Sequence, residues 1–258
     1  MFSWPELGTR VTLRYRRPPG SVPPLTDAVG HLLAVDPVVR VRTKTGAVAE
    51  VLPHDVVALR VLTDAPVRTS EIRALEHAAA AASPGADQAW LEGWLLRAGH
   101  GVDFAVPLDV SARAGTIAAI VDWYERRGRT PRLAIPDRLL PLPSGLSAER
   151  TERVMVRDVS ASSPAAADPD AEALARAAVT DAPDGTRWVG LSAAGHHPPT
   201  AGACEALIAR AAARGATRAY LVVAGDGTGL LPLADALGFR AHHSRRYFPA
   251  RSPAWDTV

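Results

Sequence analysis

Two histidine pairs are candidates for chemistry, the first as a base and the second as a ligand contact. His196-His197 runs into Pro198-Pro199, and His242-His243 precedes Arg245-Arg246-Tyr247. An imidazole titrating near about 6.5 can take or return a proton at neutral pH. His196 is therefore the candidate catalytic residue. The competing reading makes the first pair an exposed loop and the second the solvated end of a basic, aromatic strand. His54, His100 and Asp103 lack the spacing of a zinc site, and the single Cys204 leaves no thiolate set, so no metal is expected. Asp226-Gly227-Thr228-Gly229 follows a strand but has no trailing lysine, which separates it from a phosphate-binding P-loop. Gly202, at the start of a helical run, serves either as a structural cap or as a point of close backbone approach to a phosphate.

The elements that must hold these residues change character along the chain. Thr9–Tyr15, Ala28–Val35, Val38–Thr43 and Val48–Val51 alternate apolar and polar positions between Pro18-Pro19-Gly20, Asp36-Pro37 and Thr45-Gly46. Such short strands predict a small closed or nearly closed barrel over residues 1–65. From Pro66 the spacing turns helical, with Ser70 as the expected cap and Ile72, Leu75 and Ala79 inside. A second domain is expected over 66–258, with halves at 66–145 and 150–258. Its first half reads as an apolar segment at Trp90–Ala98, a strand at Asp103–Leu108, a helix from Ala112 to Arg127 stopped by Gly128, and a strand at Pro131–Ile135. Trp90, Trp94 and Trp123 read as core. In the second half Ser160–Pro169 has linker composition, Ala171–Ala178 a helical one, and Thr186–Ala193 that of a strand. A helix at Gly202–Arg214, a strand at Ala219–Ala224 and a second helix ending in Leu237-Gly238-Phe239 complete it.

The chain has 258 residues, 47% of them hydrophobic, enough for a substantial core. Its 29 Lys and Arg against 27 Asp and Glu leave a net charge of +2, too balanced for a protein that coats nucleic acid. Arg10, Arg14, Arg16 and Arg17 around Tyr15 would suit a nucleic-acid reader. They equally suit an edge strand protected from aggregation, and nucleic acid is not the expected partner. No run approaches the roughly 20 apolar residues of a membrane span. With one cysteine and no apolar leader in MFSWPELGTR, the expected location is the reducing cytoplasm.

The order helix, strand, helix and Gly-Phe in the last fifty residues resembles the coenzyme A half of the GNAT N-acetyltransferase superfamily. GWLLRAG at Gly93–Gly99 and AIVDWYERRGRTPRLAIP at Ala119–Pro136 are similar to an actinobacterial GNAT subfamily that carries an N-terminal SH3-like barrel. The resemblance implies an α/β (α+β) fold, a GNAT-like mixed sheet with flanking helices behind a small all-β barrel. It implies acetyl-coenzyme A as cofactor, its pantetheine on Leu191, Ser192, Ala193 and Ala194 and its pyrophosphate on Thr200, Ala201, Gly202 and Ala203. A small-molecule or peptide amine would be the acceptor, and a homo-oligomer stays open. The matching positions depart from the family's pattern. Gly195 stands at the usual base, Pro199 at the basic residue of the phosphate loop, Ala234 at the tyrosine that protonates the thiolate, and Gly227 at a loop asparagine. With a stretch of sheet also expected to be lost between Pro141 and Pro183, the resemblance implies weak or absent acetyl transfer. The alternative is a GNAT scaffold kept as a binding module or turned to another small-molecule reaction.

Overall fold

The computed structural model describes residues 4–5, 7, 9–43, 46–62, 67–159, 171–194, 199–224 and 230–257. The chain divides into two compact units, Met1–Val67 and Arg68–Val258.

The first unit is one antiparallel sheet of five strands, β1 (Arg10–Arg16), β2 (Leu25–Ala34), β3 (Val39–Thr43), β4 (Val48–Val51) and β5 (Val56–Val61). Their order is β4-β3-β2-β1-β5. Alternation supplies its core, since Val11, Leu13, Ala28, Leu32, Val39 and Val41 all point inward and are buried. Gly30 sits where a Cβ would strike the Arg42 carbonyl of the neighbouring strand, so this sheet needs glycine there. Arg14 is paired bidentately with Asp27, at 2.8 and 2.9 Å. That pairing occupies one of the four arginines of the basic strand.

The second unit is built on a nine-stranded mixed sheet. Helix α1 (Thr69–Ala82) opens it, and its first turn is closed by Glu71, whose Oε2 accepts from the Arg68 N–H at 2.7 Å. The expected cap, Ser70, lies inside the helix. Strands β6 (Asp87–Leu91) and β7 (Trp94–Ala98) form a hairpin over Glu92-Gly93, both with positive φ, as a tight two-residue turn requires. Trp94 and Trp123 are buried, but Trp90 is 55% exposed and stacks on His77, so the expected tryptophan core holds for two of three. Strand β8 (Phe104–Pro107), helix α2 (Ile117–Glu125) and strand β9 (Arg132–Pro136) follow. Residues before α2 form a 3-10 turn, Ala114–Thr116, which shortens the helix expected from Ala112.

The region between Pro141 and Pro183 contains more sheet than its sequence announces. Strand β10 (Arg150–Asp158) is central, and after the short helix α3 (Ala171–Leu174) the strand β11 (Ala175–Asp181) forms an antiparallel hairpin with β12 (Arg187–Ala193). The expected helix to Ala178 thus stops at Leu174, because the following residues are captured by the β12 ladder. Helix α4 (Ala201–Ala212), strand β13 (Arg218–Ala224), helix α5 (Leu231–Ala236) and strand β14 (Arg240–Pro249) complete the order β11-β12-β13-β10-β14-β9-β8-β7-β6.

The two faces of the sheet are covered by different helices. Val154, Val156, Trp188 and Tyr220 pack with Ala74, Leu75 and Ala78 of α1. Met155, Val189, Leu191, Leu221 and Val223 pack with Leu207, Ala211 and Ala234 of α4 and α5. The period of two along β10 and β13 accounts for that division. Two of the neighbouring strand pairs are parallel, β12 with β13 and β8 with β9, and each is connected through one helix, α4 or α2.

Candidate functional site

The ladder between β12 and β13 ends early. Its register runs Trp188↔Arg218, Val189↔Ala219, Gly190↔Tyr220 and Leu191↔Leu221 and then stops, although β12 continues to Ala193 and β13 to Ala224. Ser192 and Ala193 remain paired with Arg176 and Ala175 of β11 on their other side. Their edge toward β13 has no ladder partner. This opening faces a cavity of about 720 Å³ on the α1 side of the sheet, lined by Leu191, Ser192 and Ala193 together with Glu152, Tyr220 and Tyr247. A volume of that size suits a small-molecule ligand (about 300–1,000 Å³). A second cavity of about 330 Å³ adjoins it across Phe104, Arg150 and Tyr247.

Polar side chains converge here from α1, β7, β10, β13 and β14. Arg245 of β14 spans two carboxylates: its Nη2 donates to both oxygens of Glu76 at 2.9 Å, and its Nη1 to Glu152 Oε2 at 3.3 Å. The Tyr247 hydroxyl donates to the same Glu152 oxygen at 2.8 Å, and Arg150 pairs with Oε1 at 3.3 Å. Behind this layer His243 meets Glu76 through Nε2 at 2.7 Å and His242 through Nδ1 at 2.8 Å. An ionised Glu76 only accepts, so His243 donates to it from Nε2. Burial by itself would raise the Glu76 carboxyl. The adjacent Arg245 and the hydrogen bond from His243 outweigh it and hold the group down at about 2. Arg245 is raised in turn by Glu76, against the effect of its burial.

Tyr220 stands one register step before the opening, and a Cβ at its neighbour Gly190 would overlap its ring and hydroxyl. Burial pushes this phenol up to about 12, so it stays a protonated donor at neutral pH. Tyr247 is raised for the same reason.

The expected cofactor residues divide into two places. Leu191, Ser192 and Ala193 line the cavity, whereas the Ala194 N–H is spent on the Leu174 carbonyl at 3.2 Å. Thr200, Ala201, Gly202 and Ala203 form the start of α4, away from the cavity walls. Thr200 caps that helix, its Oγ1 accepting from the Ala203 N–H at 3.2 Å. Pro199 before it is buried. His196, Gly195 and Gly227 lie outside the described residues. Ala234 is fully enclosed in the α4 and α5 core, so counting back from Gly238-Phe239 leads into the interior instead of to the cleft.

Glu76, Arg97, Glu152 and Tyr220 escaped the sequence reading. The signals were present in part: His243, Arg245 and Tyr247 recur with the period of one strand face, and Glu76 interrupts an apolar helix stripe. His242-His243 was read as solvent-facing, yet His243 is 7% exposed. Among the described residues, no group of three or more His, Cys, Asp or Glu could hold a metal ion, and no helix is long and apolar enough to cross a membrane.

Two family models match. Residues 5–60 match the Rv0428c N-terminal Sm-like domain, and residues 69–172 and 163–248 match "Probable histone acetyltransferase Rv0428c C-terminal". A relative from Mycobacterium tuberculosis, "Probable histone acetyltransferase Rv0428c", is 55% identical over 303 residues, covering 100% of both chains. The chain belongs to the Rv0428c family. Its models describe an acetyltransferase part and a small N-terminal Sm-like domain, and the five-stranded unit here is the Sm-like one. The Rv0428c match breaks where its two segments meet, at residues 163–172. Two solved structures are also similar. A GCN5-related N-acetyltransferase from Kribbella flavida is 13% identical, with a TM-score of 0.47, over 73% of this chain and 97% of its own. A GNAT-family acetyltransferase from Novosphingobium aromaticivorans is 16% identical, with a TM-score of 0.38, over 62% and 89%.

Proposed function

We propose that this protein transfers an acetyl group from acetyl-coenzyme A to a primary amine, and that the cleft at the β12/β13 opening is where it does so. One observation carries the reading: a parallel strand pair whose ladder ends at Leu191↔Leu221 while both strands run on, beside a cavity holding a carboxylate and two phenols. The unladdered edge of Ser192 and Ala193 fits the amide-bearing arm of coenzyme A, which needs β-like hydrogen bonds. When bound, the thioester supplies an activated acyl group. Glu152 would accept the proton that the amine releases, directly or through water, and Tyr220 would protonate the departing sulfur. Arg245 and Tyr247 fix the Glu152 carboxylate, so little reorganisation is needed during the step. The name of the 55%-identical relative suggests a lysine of a basic protein as acceptor.

The second reading, a GNAT scaffold without transfer chemistry, is favoured by Pro199. It brings neither a cation nor an N–H to the start of α4, where the pyrophosphate would sit. Loss of sheet no longer supports that reading, because β10 and the β11/β12 hairpin are present. The deciding experiment follows thiol release from acetyl-coenzyme A with the purified protein and lysine-containing peptides. Turnover that falls in Tyr220→Phe supports transfer in this cleft. Acetyl-coenzyme A binding without turnover, or no binding at all, overturns transfer and supports the scaffold.

A further inference from the structure

The cavity walls carry more positive charge than their carboxylates neutralise. Arg97, Arg150 and Arg245 line it, and the carboxylates bonded to them are Glu152 in the wall and Glu76 behind it. Both of these are occupied. Glu76 is bound by Arg245 and His243, and Glu152 by Arg245, Arg150 and Tyr247. The remaining guanidinium is Arg97, 4% exposed, on β7.

Only one of its nitrogens has acceptors. Nη1 donates to the carbonyls of Ser83 at 2.8 Å and Ala80 at 3.4 Å, at the C-terminal end of α1. The helix end offers a partial negative charge of about one half, which does not balance a whole cation. Nε is shielded and has no acceptor, and Nη2 makes no hydrogen bond among the described residues. Of the two, Nη2 is the nitrogen that a ligand can reach, because Nε is enclosed. A carboxylate oxygen accepting from Nη2 makes a charge-assisted hydrogen bond. The Phe104 ring, its centroid 4.8 Å from the guanidinium carbon, offsets part of the cost of burying this cation, and an anion at Nη2 offsets more. Arg176, exposed at the rim across the ladder from Ser192, adds a further positive charge to the approach.

We propose that the cavity contains an anion subsite centred on Arg97 that takes a carboxylate carried by the ligand. The subsite rests on the acyl-transfer reading for which molecule brings that carboxylate. It is either the acyl chain of a dicarboxylic acyl-coenzyme A or an amine acceptor with a carboxylate close to its amine. The lone buried guanidinium makes the same demand of both.

Two arms separate the sources. In the first, calorimetry compares succinyl-coenzyme A with acetyl-coenzyme A. In the second, acetyl transfer compares an amino acid amine bearing a free carboxylate with its carboxamide. A charge-assisted hydrogen bond predicts a preference of about tenfold to a hundredfold in one arm. Arg97→Gln should abolish it, while Arg97→Lys, which keeps the charge and loses the planar guanidinium, should retain only part. No preference in either arm, with acetyl-coenzyme A still bound and transferred, overturns the subsite and leaves the proposed function standing. If no acyl-coenzyme A binds at all, the proposed function fails instead. The subsite is then decided by free succinate: a rise in the thermal midpoint of the wild-type chain that Arg97→Gln removes supports it, and no rise overturns it. The wild-type comparisons need no variant, so a misfolded Arg97→Gln leaves the test intact.

Discussion

Arg245 touches two carboxylates, and their surroundings give them different work. Glu76 is 3% exposed and held near 2, which makes it a poor proton acceptor and a good anchor. Glu152 lines the cavity, where Arg245, Arg150 and Tyr247 hold it in place. The expected outcome is that Glu152→Gln lowers kcat by about a hundredfold or more, the usual worth of a positioned base, with KM for acetyl-coenzyme A nearly unchanged. Steady-state kinetics on the purified variant checks it, and an unchanged kcat assigns the proton to another group. Ala234 behaves differently from the tyrosine position it was matched to. Ala234→Tyr forces a phenol into the closed core of α4 and α5 and should cost about 1–3 kcal/mol of stability without raising turnover. Urea unfolding of that variant measures the loss, and an unchanged midpoint would show that the core has room.

At the scale of the element, α4 owes its start to Thr200 rather than to a basic loop. Thr200→Ala removes the acceptor of the Ala203 N–H and should destabilise the protein by about 1 kcal/mol. Its thermal midpoint reports that, with wild-type stability as the contrary result. The elements were legible to different degrees for a physical reason. Strands of the first unit and the β12–α4–β13 crossover show clean alternation or helical spacing, and they lie where they were expected. Strand β10 begins Arg150-Thr151-Glu152-Arg153, a charged run with the look of a loop. Its Glu152 fronts the cavity, tied to Arg245 and Tyr247, and local pattern carries no record of partners on β14. The same blindness hid Arg97 inside the apolar WLLRA run. The backbone wall of the cavity, Leu191 to Ala193, and the Arg245 and Tyr247 of its last strand were thus singled out from the sequence, whereas Glu152 and Arg97 were not.

For the whole molecule, a half-buried histidine and a buried carboxylate drive stability with pH in the same direction. Burial lowers His242 to about 4, with His243 and Arg218 adding to the effect, so the fold keeps it neutral where an unfolded chain would protonate. Stability should decline as pH falls from about 6.5 to about 4. Glu76, held down at about 2, contributes stability that is complete above its ordinary 4.5 and is lost as pH falls toward 2. Denaturant midpoints across this range should drop in two successive stages, and His242→Gln should flatten only the upper one. A wild-type midpoint that stays level from 6.5 to 4 contradicts the assignment.

The nine-stranded sheet is laced at its centre. Strand β10, which follows β9 in the chain, lies against β13, while β14, which follows β13, lies against β9. Each half thus lends a strand to the other, and the cavity takes Arg97 from one and Ser192 from the other. Neither piece has a finished hydrogen-bonding edge without its counterpart. Residues 68–159 and 171–258, produced as separate polypeptides, should each fail to fold and should recover strand signal by circular dichroism only when mixed. The cleft, which takes Arg245 and Tyr247 from β14, is therefore complete only once that strand has paired with both β10 and β9.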